Sequence, residues 1–69
     1  MTIETPVRSS SIARLSYDDD AQVLRVTFAS GSTYEYAGVT PAQHDDLRTA
    51  DSIGRHFQQQ IRPLGGRKV

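Results

Sequence analysis

The residues best suited to chemistry form one short stretch, Ser52-x-Gly54-Arg55-His56. A serine hydroxyl, a glycine that admits close backbone approach and an arginine that forks onto phosphate oxygens suit an anion held at a helix N-terminus. Free N–H groups and the positive dipole end point outward there. The same residues have a plain structural use, with Ser52 capping the helix and Gly54 letting it cross a sheet closely. The two roles are compatible. Tyr34 and Tyr36 stand two apart on one strand face. They either stack on bases, as in single-strand binders, or pack in the core with their hydroxyls at the rim. Ser10, inside the run Ser9-Ser10-Ser11, offers a hydroxyl to a ligand or to a turn, and Arg62 adds a further cation.

Catalysis and metal binding fit these residues poorly. Ser52 and His56 lie one helical turn apart with Asp51 near, yet Asp51 and Ser52 are adjacent and point to different sides. Nothing supplies a sharp nucleophile elbow. His44 and His56 stand without cysteines or a paired-ligand spacing, and Asp18-Asp19-Asp20 lacks the glycine and distal glutamate of a calcium loop. The expectation is a binding module with no catalytic residues, metal or cofactor.

Composition narrows the setting. With 69 residues the chain is one domain, and at this size folding buries only about 60% of the exposed surface. There is no cysteine to supplement the core with disulfides, which fits a reducing compartment. No apolar run approaches the roughly 18 residues that span a bilayer, and Met1 to Pro6 lacks the layout of a signal peptide. A soluble, cytoplasmic protein with no membrane partner is expected. The net charge is zero but segregated: residues 1–53 hold four arginines against eight acids, net −4, whereas Arg55, Arg62, Arg67 and Lys68 give residues 54–69 a net +4. Such an end either docks phosphate or carboxylate or keeps a small domain soluble.

Three runs of period-two alternation predict an antiparallel β-meander. Residues 11–17 set Ala13, Leu15 and Tyr17 on one face and Ile12, Arg14 and Ser16 on the other; Asp18 to Ala21 then reads as a turn. Residues 22–28 set Leu24, Val26 and Phe28 against Val23, Arg25 and Thr27, and Ala29-Ser30-Gly31 supplies a hairpin loop. Residues 32–37 oppose Tyr34 and Tyr36 to Thr33 and Glu35. Thr40-Pro41 is a helix start, giving a helix over 41–50, and Asp51-Ser52 offers a second cap for 52–62, where Ile53, Phe57 and Ile61 recur at i, i+4, i+8. Gly54 costs that helix about 1 kcal/mol relative to alanine. The junction is a kink in one helix or a break between two; two is the favoured reading. The fold class is therefore α+β, three strands packed against one or two C-terminal helices. Residues 1–6 form a flexible N-terminus, 7–62 the domain and 63–69 a flexible basic tail. The expected core packs Leu24, Val26, Phe28, Tyr34 and Tyr36 under Leu47, Ile53, Phe57 and Ile61. Ile12, Val23 and Thr27 are left on an exposed face, and that face or a free edge would favour a homo-oligomer.

The order of these landmarks resembles a known family. Val7-x-Ser9-Ser10-x-Ile12, Tyr17-Asp18, Leu24-x-Val26-x-Phe28, Gly31-x-x-Tyr34-x-Tyr36, Val39-x-Pro41, Leu47-x-x-Ala50-x-Ser52-x-Gly54 and Ile61-Arg62 together are similar to the KTSC domain, named for its occurrence at the C-terminus of lysyl-tRNA synthetases. The resemblance spans Val7 to Arg62, implies a small module with RNA as its expected partner, and brings no catalytic residues. His56 stands where the family commonly has tyrosine, and Leu64 where it often has an aromatic. The leading expectation is thus RNA binding through a basic helical face on which Arg55, Arg62, Arg14 and the tail converge. The alternatives are a small nucleotide or phosphorylated ligand, held in a pocket or at an oligomer interface, and a protein-interaction module using an exposed β edge.

Overall fold

A computed structural model describes residues 2–5, 7 and 9–69. They form five strands, β1 (Thr2–Thr5), β2 (Ile12–Asp18), β3 (Val23–Phe28), β4 (Thr33–Ala37) and β5 (Arg67–Lys68), and two helices, α1 (Pro41–Arg48) and α2 (Ile53–His56). The sheet is antiparallel throughout, in the order β1-β2-β3-β4-β5, with both helices inserted between β4 and β5. The three expected strands and the α+β class stand. The count is low by two, and both missed strands lie in the segments read as unpaired ends. Within the first of these, Met1 and Pro6 lie outside the described residues.

Each turn has a local cause. Asp18 Oδ1 accepts from the Asp20 and Ala21 amides at 3.0 and 3.2 Å, closing the β2–β3 connection. Gly31 supplies the positive φ of +98° that the β3–β4 loop requires. Thr40 and Gln43 form a reciprocal capping box at the start of α1, with Pro41 in the first turn. Ser52 caps α2, accepting from the Arg55 amide at 3.3 Å. Beyond His56 the helix widens into a π turn, Phe57–Ile61, in which the Arg62 amide donates to the Phe57 carbonyl. Pro63 has no N–H to continue that pattern, and the chain closes through a 3₁₀ turn, Arg62–Leu64, ending at Gly65.

One register detail corrects the expected faces. Ile12 pairs with Phe28 but Arg14 pairs with Thr27, so Ala13 is the extra residue of a β-bulge. The bulge reverses the alternation, and Ile12, Leu15 and Tyr17 all face inward while Ala13 is exposed. Ile12 is therefore core, not surface. The buried core comprises Ile12, Leu15, Tyr17, Leu24, Val26, Tyr36, Val39, Leu47, Phe57 and Ile61, whereas Phe28, Tyr34 and Ile53 are only half-buried against it. Phe57 and Ile61 open and close the π turn, and both are fully buried.

A polar cluster ties β1 to α1. Thr5 Oγ1 lies 2.9 Å from His44 Nε2, and the imidazole stacks on the Tyr17 ring at 4.4 Å. The Tyr17 hydroxyl in turn donates to the Val39 carbonyl at 2.6 Å. Burial holds the His44 pKa below the ordinary histidine value of 6.5; Asp45 pulls against that shift and Arg48 adds to it. A lowered folded-state pKa means the unfolded chain takes up the proton first. The associated stability is complete above about pH 6.5 and is lost as pH falls through the lowered value. The melting temperature is expected to fall between pH 7.5 and 5.5, and His44→Gln is expected to flatten that dependence. An equal pH dependence in the variant would assign the effect to another group.

Candidate functional site

The two faces of the sheet differ in how their charges are used. On the face the helices leave uncovered, register aligns Glu4, Ser16, Arg25, Glu35 and Arg67 in one row across all five strands. Arg25 pairs with Glu35, Arg67 reaches the same carboxylate at 3.7 Å, and Arg14 lies 4.0 Å from Glu4. The Arg25 hydrogen bond, helped by both positive charges, lowers the Glu35 pKa. Arg48 pairs with Asp45 on α1 at 2.7 Å. Among the described residues this leaves Arg55, Arg62 and Lys68 without an ion pair.

Two of those three cations belong to the helix-covered side. Lys68 stands opposite Tyr34 on β5, hence on the tyrosine face, while its neighbour Arg67 faces the other way. Arg62 lines a cleft of about 320 Å³ together with Phe28, Tyr34, Tyr36, Phe57 and Gln58. The rings meet edge to face: Phe28 with Tyr34 at 5.7 Å, Phe28 with Phe57 at 5.5 Å and Tyr36 with Phe57 at 5.3 Å. Phe28 and Tyr34 are half-buried and are the accessible rings of the cleft, whereas Tyr36 and Phe57 belong to the buried core. Arg62 Nη1 donates to Gln58 Oε1 at 2.7 Å. Among the described residues no carboxylate lines the cleft. Burial raises the Tyr36 pKa, Arg62 opposing and Tyr34 adding to the rise, so the phenol stays protonated at neutral pH. Gly66 lies against Tyr36: a Cβ there would stand 2.3 Å from the ring, so only glycine lets the chain pass this closely before β5.

The sequence-predicted site residues divide into two groups. Arg62, Tyr34 and Tyr36 line the cleft. Ser52 is occupied as a cap, Arg55 is exposed and His56 is half-buried on α2. Gly54 faces the serine turn, where a Cβ would meet Ser11 Oγ at 3.2 Å and Ser9 Oγ at 3.3 Å. Ser9 Oγ accepts from the Ser11 and Ile12 amides, and Ser10 is exposed between them. The serine run and Gly54 thus act on each other, one helical turn before Gln58. Arg14 does not join Arg62; it lies on the opposite face of the sheet. Phe28, Phe57 and Gln58 were absent from the expected site, and of the basic tail expected there it is Lys68 that reaches this face. Gln58 had a signal, standing four residues before Arg62 on one helix face.

Among the described residues no helix is long and apolar enough to cross a membrane. The model of the KTSC domain matches residues 8–64. An uncharacterized protein of Stutzerimonas stutzeri is 46% identical over 57 residues, 83% of this chain and 80% of that protein. A lysine–tRNA ligase of Nostoc punctiforme is 43% identical over 53 residues, 77% of this chain but only 9% of the ligase. The crystal structure of a KTSC domain protein from Yersinia pestis superposes with a TM-score of 0.86 at 36% identity, covering 100% of this chain and 99% of that one.

Proposed function

The chain belongs to the KTSC domain family, and on that footing we propose that it is a non-catalytic module that binds single-stranded nucleic acid, RNA foremost, in the aromatic cleft. One observation carries the reading. The cleft joins two accessible rings, Phe28 and Tyr34, backed by the buried Tyr36 and Phe57, to an arginine with no acid among the described residues of its lining, and Lys68 follows on the same face. Ring faces take bases and unpaired cations take phosphates, the two parts that single-strand binding combines. A relative of this domain within a lysine–tRNA ligase, an enzyme that acts on RNA, supports RNA over DNA. The three arginines of the opposite sheet face, Arg14, Arg25 and Arg67, each pair with Glu4 or Glu35, so they are less available to phosphates than Arg62 and Lys68.

Titration with a short single-stranded RNA, followed by amide shifts and by affinity, tests this. Shifts should centre on Phe28, Tyr34, Gln58 and Arg62. The two unpaired cations of that face, Arg62 and Lys68, predict that log affinity falls against log salt with a slope of about −1.4. Tyr34→Ala should weaken binding about tenfold, the worth of one stacked base. Absence of any shift at low salt would remove the reading. The modest cleft volume favours a second reading, a mononucleotide as sole ligand. That reading requires equal shifts from a mononucleotide and the RNA.

A further inference from the structure

We propose that the cleft selects a keto base, guanine above all, read through its O6 and N7 edge by Arg62. The inference rests on the nucleic-acid reading above and specifies the chemistry of that same cleft. An arginine N–H can only donate, so the Gln58 atom 2.7 Å from Arg62 Nη1 must be the amide oxygen. That contact fixes the orientation of the Gln58 amide and turns its NH₂ group away from Arg62. Arg62 keeps four further N–H donors. The polar lining therefore presents Arg62 and Gln58 N–H groups together with the tyrosine hydroxyls, and no carboxylate. Adenine and cytosine offer exocyclic amino groups, for which this lining holds no carboxylate but only the tyrosine hydroxyls and the remaining lone pair of Gln58 Oε1, whereas its charged group is a donor. Guanine offers two adjacent acceptors spaced for the arginine fork, and uracil offers single keto oxygens. The order that follows is guanine, then uracil, then adenine and cytosine.

The test uses the wild-type chain and an oligoadenylate of eight nucleotides, unchanged or with one central guanosine, uridine or 7-deazaguanosine. The guanosine should tighten binding about tenfold, within the range of one bidentate base contact. The 7-deaza base, which lacks N7, should lose most of that gain. Arg62→Lys keeps the charge but not the planar fork, so the ratio of guanosine-containing to plain oligoadenylate affinity should fall towards one, whatever the change in overall affinity. Equal affinity for all four RNAs, or a preference that survives Arg62→Lys, would overturn the keto selection and leave the nucleic-acid reading standing. Failure to bind any of them would overturn both.

Discussion

Replacing Phe57 by alanine is expected to remove about 3–5 kcal/mol of folding stability. The side chain is 1% exposed and sits where the π turn crosses the sheet, with the Phe28 and Tyr36 rings edge-on to it. Truncation opens a cavity in the core and removes two aromatic pairs worth about 0.5–1.5 kcal/mol each beyond their area. A domain of this size holds only about 3–10 kcal/mol in total, at about 0.05–0.15 kcal/mol per residue. Urea unfolding followed by circular dichroism should show the variant near or past its midpoint without denaturant. A loss under about 1 kcal/mol would mean that neighbouring rings collapse into the space. Phe57→Leu should retain most of the stability, separating volume from ring geometry.

Leu47→Ala is the second large effect, about 2–5 kcal/mol, and its signature is local. α1 has eight residues, too few to persist alone, and buries only His44 and Leu47. Its helicity therefore depends on docking. Amide exchange should show protection lost first along Pro41–Arg48, while the β2–β3 ladder keeps its own. Uniform loss across both would show that α1 and the sheet open only together.

What the sequence made legible followed from periodicity. β2, β3 and β4 each carry enough alternating residues for the pattern to declare itself, and Thr40-Pro41 and Ser52 announce both helix starts. β1 and β5 contain four and two residues. Such segments show no measurable alternation, and their pairing is decided by the neighbouring strand rather than by themselves. The bulge at Ala13 was hidden for a related reason. One inserted residue leaves composition unchanged but inverts every face before it, so Ile12 read as surface. For the site, a basic C-terminal end was visible as composition. Its division between two faces was not, because Arg67 and Lys68 separate only once β5 has a register. Phe28 and Phe57 looked like core alone; their edge-to-face packing leaves them as cleft wall and floor.

The sheet order has a kinetic consequence. Three of the four neighbouring strand pairs join segments adjacent along the chain, and such hairpins close early at little entropic cost. The β4–β5 pair alone closes a long loop, since both helices separate Glu35 from Arg67 along the chain, and it carries the largest closure entropy. Lys68 and Gly66 therefore reach Tyr34 and Tyr36 at the end of folding, and the last structure to form is the first to fray. The cleft is assembled last, so its rim samples open forms under conditions that leave the β2–β3 hairpin intact.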